Sequence, residues 1–165
     1  MNSPAMLQSS VVLFIGFLAA ATFTDIVWLR IPNWISAGVA VLFLAAGMAE
    51  PRSLDWWGSH LAAGLIVLVV GMAVFAWGKI GGGDVKLLAG VALWFGLTPL
   101  PVLLVAIGVA GGAVSIVCLV LRGYGSGALL ELLGMHAVVL EKGQGVPYAV
   151  AIAAGCYLTP DGLLS

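Results

Sequence analysis

The chain has 165 residues, 62% of them hydrophobic and 8% charged, with a mean hydropathy of +1.19. Soluble domains carry about 25% charge and roughly 45–50% apolar residues, and a chain this short has too little interior to hide such a surplus from water. A soluble enzyme, a nucleic-acid binder and a disordered chain are excluded together, and the net charge of −1 points to no strongly charged partner. What remains is an integral membrane protein whose first partner is the lipid bilayer.

A helix needs roughly 20 mostly apolar residues to cross about 30 Å of hydrocarbon. Reading between charges and turn residues predicts six spans, at 7–24, 34–49, 57–78, 85–97, 100–121 and 146–160. The fourth and sixth are short, about 20 Å each at 1.5 Å per residue. Ala19-Ala20-Ala21 resembles a cleavage site, but residues 1–12 hold no Lys or Arg. The first span therefore reads as retained, not as a cleaved signal sequence. No segment shows the period-2 alternation of a membrane barrel. The expected fold is all-α: a polytopic bundle of about six transmembrane helices, forming one membrane-embedded domain over 1–165.

Six spans put both termini on one side and leave five loops. Loops 1, 3 and 5 hold Arg30, then Lys79 and Lys86, then Arg122 and Lys142, whereas loop 2 holds only Arg52. The positive-inside rule places loops 1, 3 and 5 in the cytoplasm and both termini outside. Trp28, Trp34 and Trp77 then form an inner aromatic belt, and Trp56, Trp57 and Trp94 an outer one. Gly108 and Gly112 make a GxxxG, and Gly64 and Gly71 allow close helix approach. Cys118 and Cys156 fall within spans and read as small core residues. In the longest loop, 122–145, the stretch from Ala128 to Leu140 is apolar enough to lie along the inner surface as a short helix.

Carboxylates at a membrane edge are costly, so each is a functional candidate. Asp25 closes the first span in Thr24-Asp25-Ile26-Val27-Trp28-Leu29-Arg30-Ile31-Pro32-Asn33, and Asp84 opens the fourth in Gly81-Gly82-Gly83-Asp84-Val85-Lys86. The charge-based topology sets both at cytoplasmic helix ends, while Asp55 and Asp161 lie on the opposite side. Structural readings compete. Asp84 after three glycines is a natural N-cap, Asp25 can mark where its helix leaves lipid, and Asn33 after Pro32 reads as a cap for the second span. Arg30 and Lys86 double as topology anchors. The functional reading is a two-carboxylate aspartic peptidase site. Two adjacent carboxylates share one proton, so one member activates a water while the other donates to the substrate carbonyl.

At these residues the chain resembles a family. Gly81-x-Gly83-Asp84 matches the GxGD motif of intramembrane aspartic proteases, and Asp-x4-Arg-Ile-Pro-Asn at 25–33 looks like the first-aspartate motif of type IV prepilin peptidases. The run from Val146 to Gly155 is similar to that family's last span, especially in short Flp-type (Tad/Cpa) members. The resemblance implies a cytoplasmic-face membrane peptidase of pilus biogenesis that removes the leader of prepilin-like subunits. Asp25 and Asp84 would be catalytic, Gly81 and Gly83 would shape the active-site loop, and Lys86 would bias Asp84 or touch substrate. Longer members carry a cytoplasmic insert with paired CxxC motifs and N-methylate their product. Loop 1 here ends near Asn33 and has no Cys, so neither methyl transfer nor a structural zinc is expected. No cofactor and no metal ligand is expected either.

Other chemistries fail on spacing. Neither His60 nor His136 stands in an HExxH, the serine in Gly123-Tyr124-Gly125-Ser126-Gly127 misses the G-x-S-x-G register, and Glu131, His136 and Glu141 spread around a helix. Gly78-Lys79-Ile80-Gly81 lacks the GK[ST] of a phosphate loop. The alternative function is a small proton-coupled transporter using the same carboxylates as a relay, although the matching broken helices of inverted repeats are missing. A third reading is a catalytically dead assembly partner that only binds pilin-like helices.

Overall fold

In a computed structural model of the chain, residues 4–78, 80–123, 145–159 and 163 are described. Among the described residues six helices follow in order: α1 (Pro4–Trp28), α2 (Asn33–Met48), α3 (Leu54–Ala76), α4 (Gly82–Phe95), α5 (Leu100–Gly123) and α6 (Tyr148–Leu158). Each corresponds to a predicted span, and no strand occurs among the described residues. Gln8–Trp28, Leu54–Ala76 and Leu100–Val120 are long and apolar enough to cross a membrane, and Asn33–Met48 and Tyr148–Leu158 are shorter apolar helices. The chain is a helical membrane protein. The loop-helix expectation for 128–140, with Glu131, His136 and Glu141, lies outside the described residues.

The helix ends follow local chemistry. Ser53 caps α3 by accepting a hydrogen bond from the Trp56 N–H at 3.1 Å. Pro32, which has no N–H to lose, precedes α2 in extended conformation. At the end of α1, Leu29 takes φ +49, and its N–H bonds to the Asp25 carbonyl at 2.9 Å. Glycine or asparagine usually fills this left-handed position. The reversal there is sharp and strained.

Short α4 is the hub. It packs against α2, α3 and α6, and its Val85, Leu87, Gly90, Val91, Trp94 and Phe95 are all buried. Gly64 and Gly71 let α3 approach it, as expected: a Cβ on Gly64 would stand 2.5 Å from the Leu93 side chain, and one on Gly71 2.6 Å from Val85. Among the described residues, nothing lies within 4 Å of a Cβ built on Gly108 or Gly112. The α5–α6 seam instead uses Gly155, whose Cβ would run into Ile107, and Gly111, which faces Tyr148 and Ala151.

Trp28, Trp34 and Trp77 are exposed, between 58% and 76%. The outer belt needs correction. Trp94 is fully buried, its indole N–H donates to the Val39 carbonyl at 3.0 Å, and its ring packs on Phe14 with centroids 4.6 Å apart. Trp56 and Trp57 pack around Phe43 in the same cluster. His60 belongs there too, buried, with its Nδ1 2.7 Å from the Leu93 carbonyl oxygen. Both cysteines are free and buried.

Candidate active site

The turn after α1 and the start of α4 meet. A recess of about 460 Å³ is lined by Asp25, Leu29 through Asn33, and Gly81 through Asp84. Residues some sixty positions apart in sequence, the two aspartate motifs, thus form one wall-to-wall site. Asp25 lies in the last turn of α1 rather than beyond the helix, and it is only 4% exposed. Its Oδ2 accepts a hydrogen bond from the Ala149 N–H at 2.8 Å. That donor belongs to the first turn of α6, where backbone N–H groups lack partners inside the helix and the helix dipole favours negative charge. The Thr22 hydroxyl reaches the Ala149 carbonyl at 3.5 Å, so Ala149 is held from both sides.

Asp84 occupies the third position of α4, not the N-cap, which is Gly81. Its carboxylate accepts from the Gly81 N–H, like the acidic half of a capping box. This placement explains the two outer glycines of the motif. A Cβ on Gly81 would sit 2.7 Å from Asp84 Oδ2, and one on Gly83 would stand 3.2 Å from Ile31 Cβ and 3.3 Å from its carbonyl oxygen. The two motif segments pass so closely at Gly83 that a Cβ there would require the Ile31 segment to give by a few tenths of an ångström. Asp84 lies one residue ahead of the predicted span 85–97 and outside the apolar helices. Burial, and after it the nearby Asp25 charge, push its pKa up to about 7, against the opposing pull of the Gly81 N–H.

Asn33 is not the cap of α2, and it meets Lys86 instead. Asn33 is the first residue of α2, with Pro32 as the cap and no side-chain capping bond. Its Oδ1 accepts a hydrogen bond from Lys86 Nζ at 3.0 Å. Lys86 therefore ties the two motif segments at the rim, while Arg30 lines the recess. The pair is exposed, so Lys86→Met and Asn33→Ala should each lower stability by less than about 1 kcal/mol. Thermal melts of both variants and the double variant in detergent measure their coupling. Among the described residues no three His, Cys, Asp or Glu side chains gather as a metal site.

Sequence reasoning missed Ala149, Leu29 and Ile31. Ala149 acts through its backbone and leaves no residue-type signal. Pro32 and Asn33 mark the turn, and nothing in Leu29 betrays its positive φ.

The sequence profile of the type IV leader peptidase family matches residues 12–116, which include the whole recess. The chain belongs to the type IV leader peptidase family. It is 35% identical over 160 residues to the prepilin leader peptidase/N-methyltransferase of Bacillus subtilis (strain 168), covering 93% of this chain. It spans 57% of that relative's length. No solved structure matches.

Proposed function

We propose that this leader peptidase family member is an aspartic endopeptidase that removes the leader of type IV, Flp-type prepilins, with Asp25 and Asp84 as its catalytic pair. The observation that carries the reading is the convergence of both carboxylates on one recess. Asp25, held by the Ala149 N–H, acts as the ionised base on a water. Asp84 carries the shared proton and donates it to the carbonyl of the scissile bond. The attacking water then loses its proton to Asp25, the tetrahedral centre collapses, and the leaving amine takes up a proton. Arg30, exposed at the rim, faces the approach of the substrate.

The chain is one domain in the inner membrane, with the recess at the cytoplasmic face and both termini outside, as the distribution of Lys and Arg supports. The substrate is a membrane-lodged prepilin whose scissile bond lies at the interface beside the pair. The link between α1 and α2 is four residues, 29–32, and both cysteines sit in helices. These features support leader cleavage without methyl transfer.

The pH dependence follows from the proton on Asp84. Its acid form is the donor, so kcat is expected to fall as pH rises through about 7. On the acid side, activity falls when Asp25 gains a proton, and the two limbs belong to the pair jointly. Leader removal from a Flp-type prepilin in detergent, followed by gel shift between pH 5 and 9, measures this. A rate still rising at pH 9 would overturn the proton assignment.

A further inference from the structure

The recess holds a cation as well as two acids. Arg30 lines it beside Asp25 and Asp84, and the residue is exposed. Two other basic side chains are engaged: Arg52 pairs with Glu50 at 2.9 Å, and Lys86 donates to Asn33. Among the described residues the Arg30 guanidinium has no such partner. Nor does it act as counterion to the aspartate at the head of α4. Asp84 answers to burial, to Asp25 and to the Gly81 N–H, and Arg30 is not among the groups acting on it. The backbone under Arg30 is held on both sides. Before it, Leu29 keeps a left-handed φ of +49 with its N–H on the Asp25 carbonyl. After it, Ile31 is buried against Gly83, and the ring of Pro32 fixes its own φ. Strained links persist where their surroundings over-determine them, and they collect at ligand clamps. A basic residue serving only as an interfacial anchor needs no such backbone, because its long side chain reaches water from many positions.

An acid pair with one shared proton keeps one negative charge and repels a substrate carboxylate, and an unpaired cation in the same recess offsets that repulsion. We propose that Arg30 is a specificity-determining residue that pairs with an acidic side chain of the substrate close to its scissile bond. Arginine holds a carboxylate through two parallel N–H···O bonds. An extended chain advances about 3.3–3.6 Å per residue, so the acid lies within roughly four residues of the cleaved bond. This inference rests on the peptidase reading, since it takes the recess to hold the prepilin.

The test is a charge exchange between the full chain and a Flp-type prepilin in a neutral detergent. Each Asp or Glu of the prepilin in that stretch is replaced in turn by its amide. One replacement is expected to raise KM about tenfold with kcat little changed, and Arg30→Gln should do the same to the unaltered prepilin. Combining the two should add nothing further, and Arg30→Lys should keep part of the affinity. Arg30→Glu should bind the prepilin poorly and recover when a lysine replaces that one acid. Binding of the same prepilins to the Asp84→Asn chain reads the pairing without catalysis. Additive effects, no recovery with the lysine, or no acid whose replacement matters overturns the pairing. So does an Arg30→Gln effect that appears in phosphatidylglycerol nanodiscs and not in phosphatidylcholine ones, which would make a lipid phosphate the partner. Cleavage by the wild type without coupling sinks the pairing and spares the peptidase. Coupling in binding without any cleavage by the wild type does the reverse.

Discussion

Asp25→Asn and Asp84→Asn are each expected to lower leader cleavage by about 10²–10⁴-fold while leaving the protein folded. An asparagine keeps the size of the carboxylate and an oxygen that can accept from Ala149 or Gly81, so the local bonds survive. On the proposed mechanism what disappears is the shared proton: Asn at 25 could not take one from water, and Asn at 84 could not give one to the carbonyl. Effects of groups acting as a unit do not add, so the double variant should be about as slow as either single one. The measurement is initial rate against prepilin concentration for the four chains, with melting temperatures alongside. A single variant retaining wild-type kcat would remove that aspartate from the mechanism.

Gly155→Val is expected to act on the same site from a distance. A Cβ on Gly155 would stand 3.0 Å from the Ile107 backbone nitrogen and 3.1 Å from its Cα, and backbone cannot move aside as a flexible side chain can. Overpacking of this kind costs about 1–3 kcal/mol. The added methyl groups push α6 away from α5, and α6 carries the Ala149 N–H that holds Asp25. The variant should therefore lose both thermal stability in detergent and leader cleavage. Gly108→Val, whose site is open, should lose neither. Equal melting temperatures for the two variants would contradict the α5–α6 seam described above.

Much of the architecture was readable from hydrophobic runs and their punctuation. All six helices fall where the spans were predicted because Pro32, Gly81 to Gly83, Pro99 and Pro147 interrupt the apolar stretches. The end of α1 was not, and the reason is physical. An aspartate at 25 reads as the point where a helix leaves lipid, yet its carboxylate is satisfied by a donor 124 residues away, so the helix continues to Trp28. Trp94 failed for a related cause: a tryptophan near a span end suits an interface, but here its N–H finds the Val39 carbonyl inside the core. Glycine spacing marked Gly64 and Gly71, which meet α4, and equally Gly108 and Gly112, which meet nothing among the described residues. Sequence spacing shows which glycines share a helix face, not which face meets a neighbour. The two aspartates were legible because a carboxylate beside an apolar span is rare, and their convergence follows from α1 ending where α4 begins. The Lys86–Asn33 link was hidden, since each residue alone reads as an anchor or a cap.

The central claim is that this chain hydrolyses a prepilin leader with the pair at the head of α4 and the foot of α1. Intact mass spectrometry of a purified Flp-type prepilin, incubated in detergent with the purified wild-type chain, tests it most directly. The account predicts two products, the leader and the remaining subunit, whose masses sum to the precursor plus one water, and an intact precursor with the Asp25→Asn/Asp84→Asn double variant. A precursor left whole by the wild type, or the same two products from the double variant, would contradict it.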